Sequence, residues 1–286
     1  MTTTLERLWD EPPARALRWV PGTDLAALDC AGTPGWAGTK PEGEQLVASR
    51  AGELADLQER LFADGRSGGN RSVLLVLQGL DTAGKGGIVR HVVGLVDPQG
   101  VMHRSFAAPT AEEAAHGYLW RVREALPRPG YLGVFDRSHY EQVLVVRVEG
   151  LEPEALWRAH YDEILAFEQE VRGVGTTIVK VALMVSPEEQ KARLAERLER
   201  RDKYWKYSPG DIDTVRRYPQ YVGAYQEMLD RTSTEQSPWH LVPADRKWFA
   251  RLAVTELLLG ALRSLGLGWP PATFDVEAEK ARLAAS

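Results

Sequence analysis

The chain has 286 residues, 44% of them apolar, with 35 Lys and Arg against 40 Asp and Glu and a formal net charge of −5. This length suits one α/β domain with an N-terminal extension, or at most two small domains, and the acidic balance argues against a general nucleic-acid binder, which carries a basic face. No apolar run reaches the roughly 20 residues of a membrane helix, the charged, proline-containing N-terminus is unlike a signal peptide, and a lone cysteine, Cys30, excludes an intrachain disulfide or a cysteine metal cluster, so a soluble cytoplasmic protein is expected.

Residues 1–44, rich in Pro, Gly and Asp, read as an irregular arm with turn chemistry. Leu46, Ala51 or Leu54, Leu57 and Leu61 then recur at helical spacing and predict a helix from Gly43 to Ala63. The run Ser72–Gln78 is almost wholly apolar, as in a strand buried on both faces of a parallel sheet. A helix is expected from Lys85 to Val96, a second strand over Val101–Phe106, a helix over Ala111–Ala125 and a third strand over Tyr131–Asp136. Pro153–Arg172 reads as a helix with proline in its first turn. A fourth strand, Thr176–Ser186, a helix Pro187–Arg201, a helix Asp213–Thr232, a short fifth strand Trp239–Pro243 and a closing helix Arg246–Leu265 follow. Strands alternating with helices predict a three-layer α/β domain over residues 45–270, with a mostly parallel five-stranded sheet and a C-terminal tail at 271–286. Ligands of such sheets sit outside the carboxyl ends of the strands.

Three segments there carry chemistry. The first is GLDTAGKGG, in which Gly79, Gly84 and Lys85 match the phosphate-binding loop G-x-x-x-x-G-K between a strand and a helix. Gly79, Ala83, Gly84, Gly86 and Gly87 would turn backbone amides toward phosphate oxygens, and Lys85 supplies a point charge. Gly86 stands where ordinary P-loops have a Ser or Thr that holds magnesium. Asp81 is a substitute metal ligand or proton acceptor; the plainer alternative is a loop cap.

The second segment is FDRSHY. Asp136 ends the third strand, where a Walker B acid belongs, and Arg137 has the forked donors to clamp a phosphoryl group. His139 reads as a packing position. Arg147, in an apolar run, needs either an acidic partner or a ligand.

The third segment runs from Arg193 to Lys206. Arg193, Arg197, Arg200, Arg201, Lys203 and Lys206 oppose three acids, a net +3 in fourteen residues of an acidic chain. Arg193, Arg197 and Arg200 share one helix face. The reading is a mobile lid, residues 193–213, that brings charge to a polyanion. A solvated helix with i,i+4 pairs such as Glu196–Arg200 is the alternative.

Taken with VDPQG (Val96–Gly100), VLVVRV, DKYWKYSPGD and STEQSPWHLVPADRKWFARL, these segments resemble the polyphosphate kinase 2 family in content and order, from about Asp24 to Leu265. The resemblance implies a P-loop kinase fold like that of thymidylate kinase, magnesium as cofactor, and transfer between inorganic polyphosphate and a nucleoside mono- or diphosphate. AMP, ADP and ATP are the implied nucleotides, with guanine nucleotides as further acceptors, in a dimer or tetramer. Asp81 and Lys85 match the loop acid and lysine of the family. Asp136 and Arg137 match its Walker B pair, Asp81 and Asp136 being the implied metal ligands, and Arg197, Lys203 and Lys206 match basic lid positions. Arg90, Arg104, Arg137 and Arg147 are expected to meet nucleotide. Gln78 and EQVLVVRV look closest to members that use adenine nucleotides.

This chain departs from the family at Arg200–Arg201, where relatives often have an Asn-Pro pair, and at Ala107, where relatives commonly carry a Lys that Arg104 would replace. Two other readings fit the same motifs, an ATP-dependent kinase of the same fold and a non-catalytic sensor of polyphosphate or nucleotide.

Overall fold

The computed structural model describes residues 4–286. Five parallel strands, β1 (Ser72–Gly79), β2 (Val101–Ser105), β3 (Leu132–Asp136), β4 (Thr176–Met184) and β5 (Trp239–Pro243), form one sheet in the order β2-β3-β1-β4-β5. Every residue of β1 is buried, which its apolar sequence requires of a central strand covered on both faces. The register pairs Leu77 with Asp136 and Gly79 with Leu183. The loops after β1 and β3 therefore emerge side by side, where strand order reverses and α/β sheets bind ligands.

Six longer or site-forming helices matter here: α1 (Lys40–Arg66), α2 (Lys85–His91), α3 (Glu154–Gly173), α4 (Pro187–Glu199), α5 (Tyr218–Thr232) and α6 (Lys247–Ser264). A capping box starts α1, with the Thr39 N–H donating to Glu42 at 2.7 Å. Eleven residues of α6 are buried, in keeping with its apolar composition. None of the helices among the described residues is long and apolar enough to cross a membrane.

Several elements are shorter than periodicity predicts. The helix expected to reach Val96 stops at His91, and Val93–Leu95 continues as a 3₁₀ turn. The helix expected over Ala111–Ala125 divides into Ala111–Ala115 and Trp120–Arg123, with Gly117 between them. Asp211–Arg216 and α5 are separate because Pro219 cannot donate to the preceding turn. The helix from Pro187 ends at Glu199 and Arg201–Lys206 is a 3₁₀ turn. Residues 276–284 of the expected tail are helical, started by Asp275, which accepts from the N–H groups of Glu277 and Ala278.

The N-terminal segment packs into the core through Leu17, Trp19, Leu25 and Trp36, all buried. Trp19 N–H donates to Trp239 O at 2.8 Å and Leu241 N–H donates to Leu17 O at 2.7 Å, with Arg18 and His240 bridged antiparallel. The segment thereby covers the free edge of β5, which would otherwise template association. A buried ionic cluster holds β4 to α3: Lys180 Nζ donates to Glu168 (2.7 Å), Tyr140 Oη (3.0 Å) and Thr232 O (2.7 Å). Burial alone would raise the Glu168 carboxyl, but Lys180 and His139 draw it down to about 2.

Candidate active site

Gly79 ends β1 so close to its neighbour that a Cβ would stand 2.7 Å from Leu183 O. The loop then turns through Thr82 (φ 68°) and Gly84 (φ 109°), and α2 opens at Lys85. The first amides of α2 have no partner within the helix. Lys85 Nζ donates to Gly79 O at 2.6 Å and Leu80 O at 3.3 Å, so the ammonium is folded over its own loop. Burial and then Arg137 push the Lys85 pKa down, against the pull of Asp136 and Asp81.

From β3, Asp136 reaches the same place. Arg137 takes a left-handed backbone (φ 63°) that swings its guanidinium across to Asp81, Nη2 to Oδ1 at 2.7 Å. Thr82 and Arg137 are the only non-glycine residues with positive φ among those described, a strain typical of functional sites. Desolvation opposes the charge on Arg137, but Glu141 and Asp81 outweigh it and raise the pKa further. Gln78 donates to Glu141 at 2.9 Å, which steadies the turn after β3.

A cleft of about 670 Å³ opens over these groups. It is lined by Asp81 through Ile88, by Asp136 and Arg137, by Arg197, Arg200, Lys203 and Lys206 of the basic segment, and by Arg90. Ten basic residues against four acidic ones line it, on a chain whose net charge is −5. A second cleft of about 330 Å³ shares Asp81 and Arg137 and is otherwise lined by Gly79, Glu141, Glu149, Arg217, Tyr221 and Tyr225, among others.

Not every expected residue converges on the larger cleft. Arg201 is exposed outside its lining. Arg104 pairs with Glu113 at 2.7 Å, and Arg147 pairs with Glu227 at 2.7 Å and lies over Trp157; neither lines either cleft. The structural partner is thus the alternative realised at Arg147. Ala107 does line the larger cleft, and Arg121 donates to its carbonyl at 2.9 Å. His139 is buried against Phe167 and Tyr140, with its pKa lowered by burial, as a packing position should be.

The basic segment also differs from three free guanidinium groups on one helix face, since the helix ends at Glu199 and Arg200 is its cap. Arg193 lines the cleft but spends its donors on Thr82 O, Ala244 O, Asp245 O and Glu189. Arg197 donates to Lys206 O (2.9 Å) and Asp211 (3.2 Å), and Arg200 to Asp202 and Glu196. Asp211 has its pKa raised, chiefly by burial. Lys247 and Arg251, one turn apart at the start of α6, join the basic wall beside His91. These three were missed in the sequence, although two cations four residues apart just beyond the carboxyl end of β5 are a usable signal.

The model of the family described as polyphosphate kinase 2 matches residues 38–265. An AMP/ADP-polyphosphate phosphotransferase of Meiothermus ruber is 40% identical over 247 residues, covering 86% of this chain and 91% of the relative. An ADP-polyphosphate phosphotransferase of Rhodopseudomonas palustris is 38% identical, covering 82% and 84%. The crystal structure of polyphosphate kinase 2 from Arthrobacter aurescens superposes with a TM-score of 0.94 at 49% identity, over 97% of this chain and 98% of that one. With a P-loop after β1, a carboxylate at the end of β3 and a basic cleft over a parallel sheet, the chain belongs to the polyphosphate kinase 2 family.

Proposed function

We propose that this protein transfers phosphoryl groups between inorganic polyphosphate and nucleoside mono- or diphosphates, AMP and ADP being the favoured acceptors. One observation carries the reading: two clefts of unequal size and charge meet at the Asp81–Arg137 pair. The larger has the excess of cations a linear polyanion needs. The smaller, walled by Tyr221 and Tyr225, takes the acceptor and presents its phosphate to the shared floor. The names of the two phosphotransferase relatives support the same substrates.

The donor set suits magnesium. The Asp136 carboxylate has no hydrogen bond or ion pair among the described residues, and Asp81 has one, from Arg137. Magnesium takes one or two carboxylates and completes its shell with phosphate oxygens and water. Bound there, the ion would neutralise phosphate charge as the substrates meet.

The chain's own groups do the rest. An acceptor phosphate oxygen forms a bond to the terminal phosphorus of polyphosphate as the bridging P–O bond breaks, leaving a polyphosphate one unit shorter. Arg137 orients the transferred group from the side, and Lys85 meets the bridging and equatorial oxygens after leaving its loop carbonyls. Arg197, Arg200, Lys203 and Lys206 hold the chain in line. Near neutral pH the attacking phosphate is already largely ionised, so no strong base is needed.

The test is purified protein with magnesium and polyphosphate, given AMP, ADP, GMP or GDP in turn, with products separated by anion exchange. Di- or triphosphate that appears with wild type and is lost with Lys85→Ala supports the reading. Transfer from ATP with indifference to polyphosphate replaces it with an ordinary kinase.

A further inference from the structure

Arg193 opens the basic segment in sequence and shares its helix face with Arg197, yet its hydrogen bonds point to other work. Its guanidinium joins three segments of chain. Nη1 donates to Thr82 O in the P-loop at 2.8 Å. Nη2 donates to Ala244 O at 2.7 Å and Asp245 O at 2.9 Å, just beyond β5. Nε is held by Glu189 at 2.7 Å, one turn back on α4. Four of the five N–H donors of an arginine are thereby used, in a side chain only 5% exposed. One turn nearer the start of α4, fully buried Gln190 donates to Asp81 O at 3.3 Å.

The far side of the clamp is rigid. Ala244 N–H donates to Met184 O at 2.7 Å, and Asp245 accepts from Ser186 N–H at 2.8 Å at the cap of α4. Asp245 N–H in turn donates to Cys30 O at 3.0 Å. On the near side, the two clamped carbonyls belong to successive peptides, Asp81–Thr82 and Thr82–Ala83. The first of these planes adjoins the Asp81 Cα, the second is joined to it through Thr82, and Thr82 between them holds the strained φ of 68°. Without these bonds nothing on this side would hold Thr82 at positive φ, and the backbone carrying Asp81 would be free to move relative to Arg137.

We infer that Arg193, assisted by Gln190, is a positioning residue that fixes the P-loop backbone under Asp81 and ties it to the root of the lid helix. The inference rests on the proposed reading of the site. It gives the lid helix two jobs separated by one turn. Its buried face, at Gln190 and Arg193, holds the loop; Arg197 one turn on, with Arg200 at the C-terminal cap, meets the polyanion. Because Gln190, Arg193 and Arg197 ride on one helix with a rise of about 1.5 Å per residue, and Arg200 stands at its C-terminal cap, Arg197 is tied to the same helix that holds the loop under the reacting carboxylate.

The experiment is steady-state kinetics of Arg193→Lys, Gln190→Met and Arg200→Ala with polyphosphate and ADP. A point charge cannot span three carbonyls as the planar fork does. Arg193→Lys should therefore lower kcat by at least about tenfold, as a displaced catalytic group does, with KM for polyphosphate within about twofold of wild type. Arg200→Ala, which removes a cation from the cleft wall, should by contrast raise KM for polyphosphate. A large rise in KM for Arg193→Lys with kcat unchanged would make Arg193 a direct anion ligand and overturn the inference, as would two unchanged constants. Should Arg193→Lys fail to fold, Gln190→Met decides: a lower kcat at constant KM supports the clamp and an unchanged kcat overturns it. Wild type is measured first. Silence with polyphosphate refutes the reading of the site, and the same kcat and KM comparison is then made with ATP as donor.

Discussion

Arg137 Nη2 stands 2.7 Å from Asp81 Oδ1, a link between the loop after β1 and the loop after β3 that closes the boundary of both clefts. It exists because Arg137 alone after β3 adopts φ 63°. Arg137→Lys keeps a positive charge but loses the fork that meets a carboxylate and a phosphoryl group at once. The expected result is a fall in kcat on the order of 10²–10³, as when a preorganised donor to the transition state is lost. Initial rates at saturating polyphosphate and nucleotide check it.

Asp81→Asn preserves shape while removing one of two carboxylates fit for magnesium. The magnesium concentration for half-maximal rate should rise at least about tenfold, about 1.4 kcal/mol of lost interaction. A magnesium titration at fixed polyphosphate measures this, and a near-normal curve and rate would remove Asp81 from the metal site.

Asp211 sits inside a basic cleft, accepts from Arg197 at 3.2 Å and from Ser208 N–H at 3.3 Å, and competes with any polyanion for Arg197. Asp211→Asn should lower KM for polyphosphate by a factor on the order of 2–5, since a screened interaction of a single charge at this range is worth about 1 kcal/mol or less. The effect should shrink in high salt, which screens the lid charges. Kinetics at two ionic strengths test both parts.

The buried titratable groups predict acid lability. Burial pushes His240 down to about 4 from its ordinary 6.5, against its Nδ1–H bond to Lys180 O at 3.2 Å. The folded state therefore holds His240 neutral while the unfolded chain protonates it. Its contribution is complete above pH 6.5 and is lost as pH falls toward 4. The loss amounts to about 3 kcal/mol at the low end. Glu168, drawn from an ordinary 4.5 to about 2, acts in the same direction in a lower window, lost as pH falls from 4.5 through 2. Urea unfolding of His240→Gln should show the upper window flattened and the lower one kept.

Much of this could be read from the sequence because it rests on local pattern. Within Ser72–Gly79, five consecutive apolar residues, Val73–Leu77, mark a doubly covered strand, and GLDTAGKGG marks the turn that follows. Asp136 and Arg137 were legible as chemistry because they end an apolar run, yet the pairing of Arg137 with Asp81 depends on the register that sets Leu77 beside Asp136. Arg193, Arg197 and Arg200 show where helical periodicity stops. Periodicity puts all three on one face, but only the end of β5, distant in sequence, supplies the carbonyls that take Arg193 out of the basic face. Arg147 likewise found Glu227, eighty residues away, which no local signal announces. The division of two expected helices at Gly117 and Pro219 was visible as residue chemistry and was outweighed by the surrounding apolar spacing.

The most direct test of the account is a ³¹P NMR time course of wild-type protein with magnesium, polyphosphate and ADP. The account predicts a fall in the internal polyphosphate signal matched one for one by the rise of the nucleoside triphosphate β-phosphate, with inorganic phosphate flat and no change in Lys85→Ala. Release of inorganic phosphate without nucleoside triphosphate, or no change with polyphosphate while ATP serves as donor to other acceptors, would contradict it.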